Sequence, residues 1–359
     1  LVHDRYPDER GTRQMAEQIY DWTGVELPWV RADWFVATAS RPPLYHTLLY
    51  DVVFEDLARK PRVDVKLADG SISREPAMTA ADLERWLRVN VAANLRRNRA
   101  ARAGFTKSGV SSQPRLIERH PALYGAYWLS YDFKRGNSTM NLLARPLGPP
   151  AQFNDPRFQP YHFRQDGGEI IFHLPNGLQG YLLVDGEGNR IHEGPPDVVE
   201  DSAKTLGNAV IVNGLSCMAC HKQGMRREFE DQVRFGAKGL SSDARDRVRR
   251  LYLDPPDMKR LVDKDEARFL AAVEEACGPF LRHGLEDRRA TGELDEPVGP
   301  VAKRFLGEEL GLVEIAAELE VAPADLAGAI RFIPALRESG LAGLADGAQI
   351  KRETWESGR

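Results

Sequence analysis

Asn213-Gly214-Leu215-Ser216-Cys217-Met218-Ala219-Cys220-His221 is the most informative stretch of the chain. It contains the pattern C-x-x-C-H. Two thiols three residues apart fall on neighbouring positions of a helical turn, where both can add to the vinyl groups along one edge of a protoporphyrin. The histidine next in line then presents its imidazole to the iron. The pattern is read as covalent c-type haem attachment through Cys217 and Cys220, with His221 as an iron ligand. With three Cys and eight His in 359 residues, chance places it in roughly one chain in two thousand, so coincidence is the weakest explanation.

Two other chemistries use paired cysteines. A thioredoxin-like dithiol needs a preceding strand and a βαβ setting. A zinc site needs four ligands. The chain has no second C-x-x-C, and Cys277 with His283 would have to complete the set at a spacing that fits no common zinc module. Both stand as rivals to the haem reading.

Downstream of the motif the pattern is helical. Arg226 to Phe235 and Ser242 to Leu253 form two candidate helices. Pro256 to Cys277 forms a third, capped by Asp254, with Met258, Leu261, Val262, Phe269 and Val273 on one stripe. Gly278-Pro279 stops it. Gly292 to Pro300 reads as a linker, and Val301 to Ile350 as further helices punctuated by Pro323 and Pro334.

Upstream the period changes to two. Leu123 to Phe133, Glu169 to Leu174 and Leu178 to Val184 read as strands, the last two joined by Pro175-Asn176-Gly177. A turn at Gly186 to Asn189 leads to Arg190-Ile191-His192, and Gly194-Pro195-Pro196 ends the run. Arg62 to Ser73 reads as a hairpin turning at Asp69-Gly70. Thr79 reads as the N-cap of a helix through Arg97, with Asp82 in the capping-box position and a basic end at Arg96, Arg97, Arg99 and Arg102. Residues 1–60 look mainly helical, with Met15, Ile19 and Trp22 at helical spacing and a core-like aromatic patch at Trp29, Trp34, Phe35 and Val36. The expected class is α+β, mainly helical, with a central antiparallel sheet and a helical cytochrome c-like haem region. The expected organisation is a mainly helical region at 1–115, a β-rich region at 116–212, the haem-binding region at 213–290 and a helical region at 291–359.

Composition narrows the function further. At 42% hydrophobic and 28% charged the chain is an ordinary globular protein. A net charge of −4 gives no whole-chain case for nucleic acid. No apolar run is long enough to span a bilayer. Three cysteines are too few for a disulfide-built scaffold. The chain begins at Leu1 and is expected to be a processed or trimmed form.

The open side of the iron decides between electron transfer and catalysis. Met258, 37 residues beyond His221, is the first candidate for the sixth ligand, at a spacing like that in small cytochromes c. Its alternative is a place in the apolar stripe of its own helix. His173 and His120 are the other candidates, while His46, His162, His192, His283 and Met140 remain possible. Met225 is expected to lie on the same side as His221. Arg119, Arg145 and Arg164 are candidate partners for the haem propionates, or surface charges. An open site would need an acid or base nearby, for which His173, His120, Asp166 and Glu169 are available. The leading expectation is a mono-haem electron-transfer protein with a redox partner protein; the alternatives are a peroxidase- or oxidase-like haem enzyme and a haem-based ligand sensor.

From Arg31 onward the chain also resembles a group of uncharacterised bacterial mono-haem c-type cytochrome-like proteins. The resemblance runs through Arg31 to His46, Arg102-Ala103-Gly104-Phe105, Glu118-Arg119-His120, Asp166 to Phe172, Leu174 to Tyr181 and Asn213 to His221. It covers most of the chain, although only the haem motif is specific by itself. It implies a haem c protein exported from the cytoplasm and implies no particular activity. Haem c is attached outside the bacterial cytoplasm, so the expected location is periplasmic or extracellular.

Overall fold

The computed structural model describes residues 62–66, 72–76, 79–106, 110–152, 155–202, 204, 209–226, 230–281, 303 and 307–357. The helical segment Thr12 to Trp22, the aromatic patch at Trp29 to Val36, His46, the Asp69-Gly70 turn, His283 and the Gly292 to Pro300 linker lie outside the described residues. So does the side chain of Cys277.

The fold is a mixed α+β architecture with helices around an antiparallel sheet. β1 (Arg62–Lys66) and β2 (Ile72–Pro76) pair as a hairpin. Helix α1 (Ala80–Trp86) starts at the expected capping box: the Thr79 hydroxyl accepts from the Asp82 amide at 3.3 Å, and the Asp82 carboxylate accepts from the Thr79 amide at 3.0 Å. The single helix expected through Arg97 is broken in two. Arg88 takes a left-handed φ of 54°, and Asn90 then caps α2 (Val91–Arg96) by accepting from the Ala93 amide at 2.8 Å.

Six strands follow: β3 (Ala101–Phe105), β4 (Arg115–Ala122), β5 (Gly125–Asp132), β6 (Gly167–His173), β7 (Gln179–Asp185) and β8 (Arg190–Ile191). Each pairs antiparallel with the next, so spatial order equals chain order. The sheet begins before residue 116, because β3 comes from the segment read as the basic end of a helix.

The register sorts side chains onto two faces, since directly opposed residues share a face. Arg115 faces Asp132, Arg119 faces Trp128, Trp128 faces Ile171 and Glu169 faces Leu183. These make the first face. Arg102 faces Glu118, His120 faces Tyr127, and Ile170 faces Leu182; they make the second. α1 and α2 cover the second face, where Trp86 stands edge-on to Phe172 with ring centroids 6.0 Å apart. The first face meets α3 (Leu215–Cys220) and, later in the chain, α6 (Pro255–Leu281).

Between them, the helix expected over Arg226 to Phe235 shrinks to α4 (Val233–Gly236). Asp231 explains the late start: its carboxylate accepts from the amides of Gly104 (2.8 Å), Val233 (3.3 Å) and Arg234 (2.8 Å), which ties it to β3. α5 (Ser242–Leu251) is capped by Ser241. α6 is bolted to the first face by Asp265, which takes both forks of Arg119 at 2.7 and 2.8 Å and the Trp128 indole N–H at 2.9 Å. The Asp265 carbonyl lies 3.3 Å from His173 Nε2.

The C-terminal part has its own small core. β9 (Glu309–Leu310) pairs with β10 (Ile350–Lys351). Around them α7 (Leu312–Glu318) and α8 (Pro323–Phe332) bury Leu310, Ile315, Leu326 and Ile330. Pro323 and Pro334 each open a helix, where the missing N–H costs nothing.

Candidate functional site

α3 is only six residues long. Gly214 enters it with φ 81°, and the chain leaves at His221, whose amide bonds to the Cys217 carbonyl at 2.8 Å. The spacing of three places Cys217 and Cys220 on one side of this short helix. Both thiols and the His221 ring open on a single cavity of about 350 Å³, which lies between α3 and the first face of the sheet. Its floor is apolar, with Ile117, Trp128, Ile171, Leu183 and Ile191. Pro195, Val198, Val199 and Ile211 close the far side.

The His221 imidazole has a defined orientation. Nδ1 lies 3.1 Å from the Gly224 carbonyl. A carbonyl only accepts, so Nδ1 carries the hydrogen and the neutral ring keeps its lone pair on Nε2. Gly224 makes this contact possible. Its amide bonds back to the His221 carbonyl at 2.8 Å, its φ is 93°, and a Cβ there would meet the Phe269 ring at 3.3 Å. Nε2 faces Glu169 Oε1 at 3.9 Å, beyond hydrogen-bond range.

Glu169 belongs to a polar stripe across three adjacent strands. Arg115 Nε donates to Asp132 at 2.5 Å. The Ser130 hydroxyl donates to the other Asp132 oxygen at 2.8 Å and accepts from the Glu169 amide at 2.8 Å. The second Glu169 oxygen sits 3.9 Å from Arg115. The cavity therefore has an apolar floor and one charged end. Burial pushes the Cys217 thiol well above the ordinary range, and the Glu169 carboxylate pushes it further. A reactive dithiol needs the opposite shift. Among the described residues, no group of three or more His, Cys, Asp or Glu side chains is arranged to hold a metal ion. The six-stranded sheet beside the motif is antiparallel, so the βαβ setting of a thioredoxin-like dithiol is missing there.

The other expected site residues lie elsewhere. Met258 lies on α6, buried in the core, and does not line the cavity. His173 has both ring nitrogens engaged: Nδ1 accepts from the Ala126 amide at 3.0 Å, and Nε2 donates to the Asp265 carbonyl. Burial lowers its pKa. His120 sits on the second face, bonded to Glu118 at 2.8 Å and Asn94 at 3.3 Å, with the sheet between it and the cavity. His162, His192 and Met140 do not line the cavity either. Met225 does, four residues beyond His221. Of the propionate candidates, Arg119 is held by Asp265, Arg145 bonds to loop carbonyls, and Arg164 is exposed. Asp166 clasps a turn, accepting from the Lys134 amide and from Asn137.

Arg115, Asp132, Ser130 and Gly224 were not visible as site residues in the linear sequence. Only the strand register brings the first three beside Glu169. Gly224 carried one local signal, a glycine three residues after the motif histidine.

No protein-family model, curated protein or solved structure matches the chain. Among the described residues no helix is long and apolar enough to cross a membrane.

Proposed function

We propose that the chain is a mono-haem c-type redox protein acting outside the cytoplasm and passing single electrons to or from a partner protein. One observation carries this reading: Cys217, Cys220 and His221, whose Nδ1 is held by the Gly224 carbonyl, all line the same apolar-floored cavity. Those residues fit a covalently held haem. Cys217 and Cys220 would carry the thioether links, His221 Nε2 would bind the iron, and Ile117, Trp128, Ile171 and Leu183 would pack against the macrocycle. When bound, the haem supplies a one-electron iron couple.

The chain's own residues do the rest. The Gly224 carbonyl holds His221 in one tautomer and one orientation, which keeps the ligand basic. The apolar floor excludes water and raises the cost of the more highly charged iron state. Arg115 and Asp132 offset each other's charge at the polar end.

A second reading, a haem enzyme of peroxidase or oxidase type or a ligand sensor, is favoured by a specific observation. Met258 does not line the cavity, and His120 and His173 are hydrogen-bonded to other partners, whereas a carboxylate and a guanidinium stand at its polar end.

The test is expression of the full chain together with haem-attachment machinery. Covalent haem on a denaturing gel, with a two-thioether pyridine haemochrome, is expected. Cys220→Ala should leave one thioether and shift that band. A double Cys217→Ala, Cys220→Ala variant that keeps covalent haem would overturn the reading. Absorption of the ferrous protein with and without carbon monoxide then separates a closed electron-transfer site, which ignores the gas, from an open one.

A further inference from the structure

With His221 as one ligand, the iron of a bound haem would still need a second donor from the chain. We infer that Glu169 is that donor, so that the His221 imidazole nitrogen and a Glu169 carboxylate oxygen would both hold the iron. This rests on the haem reading and adds a donor to it.

The geometry comes first. His221 Nε2 and Glu169 Oε1 both belong to residues lining the cavity and lie 3.9 Å apart. A first-row metal sits about 2.0–2.2 Å from a nitrogen or oxygen donor, so a gap of roughly 4 Å is what one ion between two such donors spans. Glu169 is held for this role. Its amide is anchored to Ser130, and its other oxygen leans toward Arg115, whose position is set by Asp132. Oε1 is the carboxylate oxygen nearer His221, and Oε2 is the one nearer Arg115.

The remaining donors are otherwise engaged. Asp132 accepts from both Arg115 and Ser130. Met225 follows directly on the turn that presents the Gly224 carbonyl to His221, so it comes from the same side as the imidazole. Met258 lies in the core, and His120 and His173 are tied down.

A carboxylate is a weak-field donor. The ferric wild-type protein with attached haem is therefore expected to be high-spin by absorption and electron paramagnetic resonance. Glu169→His should convert it to a low-spin spectrum of the two-imidazole kind, because position 169 reaches the iron. Glu169→Gln, which keeps the volume, should raise cyanide affinity by roughly tenfold, since a competing bound state is removed. Met258→Leu should leave all three readouts as in wild type. A low-spin wild-type protein with a sulfur-to-iron near-infrared band would overturn the inference. So would a Glu169→His protein that carries attached haem with the wild-type spectrum, or a Glu169→Gln protein with unchanged cyanide affinity. These outcomes differ from failure of the haem reading, in which the wild-type chain itself carries no covalent haem on a denaturing gel.

Discussion

The two faces of the central sheet carry charge in opposite ways. On the second face Arg102, Glu118 and His120 are fully enclosed, and their polar atoms meet one another. Arg102 Nε donates to Glu118 at 2.5 Å and Nη2 donates to Gln152 at 2.7 Å, while Glu118 also accepts from His120 at 2.8 Å and Tyr131 at 3.0 Å. On the first face Arg115, Asp132 and Glu169 are also largely removed from solvent, yet Glu169 ends in a cavity. A buried charge must be paired with good geometry or it is costly. The second face meets that condition internally. The first face meets it only in part, which is what a surface prepared for another group looks like.

The comparison is broken most directly on the second face. Arg102→Met leaves Glu118 buried without its guanidinium. Loss of one partner of a buried pair typically costs about 3–5 kcal/mol. Urea unfolding should show a loss of that order, with covalent haem per folded chain unchanged. A loss below about 1 kcal/mol would mean that the network braces little, since that is what an exposed pair contributes.

Acid probes the same network without mutation. Burial alone would raise the Glu118 pKa, but the Arg102 guanidinium and His120 outweigh it and hold the carboxyl at about 2. A depressed carboxyl stabilises the fold fully above its unfolded value, near 4.5, and that contribution fades as pH falls toward 2. The stake is on the order of 3 kcal/mol. A urea midpoint that stays level from about pH 4.5 to 2.5 would show that Glu118 is not the group being lost.

The same contrast explains what could be read from the sequence. β6 and β7 were legible because Pro175-Asn176-Gly177 separates two apolar runs. β3 and β4 were not. Arg102, Glu118 and His120 stand at inward positions where an apolar residue would mark a strand, and Arg102 reads in sequence as part of the basic end of the helix through Arg97. Their burial becomes sensible only once they pair across strands, Arg102 directly opposite Glu118. Asn90 likewise looked like an ordinary mid-helix residue, until its side chain proved to start a second helix. On the first face the C-x-x-C-H motif was legible because its chemistry is local. The stripe beside it was not, because Arg115, Ser130, Asp132 and Glu169 are distant in sequence and meet only through register. Met258 followed from an analogy of spacing with small cytochromes, and spacing along a helix does not reveal which neighbour the helix faces.

Gly224 tests whether the first face is as prepared as it looks. An L residue in its left-handed conformation costs about 1–2 kcal/mol, and an added Cβ would also press on Phe269. Gly224→Ala should lose about that much stability. More tellingly, it should loosen the carbonyl that holds His221 Nδ1, and the spectrum of the attached haem should broaden or change with it. A spectrum identical to wild type, alongside the expected loss of stability, would confine Gly224 to a folding role.

The smallest stability effect is the sharpest test of the contrast. Leu183 stands on the first face opposite Glu169, in the apolar floor of the cavity. Leu183→Phe directs a ring into space that a packed core would not contain. In an ordinary interior such overpacking costs about 1–3 kcal/mol. Here the ring has somewhere to go, so the unfolding midpoint of the chain made without haem-attachment machinery should move by less than about 1 kcal/mol, in either direction. Covalent haem should nonetheless fall sharply when the machinery is present, because the ring takes up the room the macrocycle needs. Leu182→Phe, the neighbouring residue on the second face, supplies the control: it should carry the full overpacking cost and leave attachment to the folded fraction intact. If both variants lose stability equally, the first face is packed like the second and the cavity is no place for a cofactor. If only Leu183→Phe spares the fold while abolishing attachment, the first face of the sheet is the side where the haem belongs.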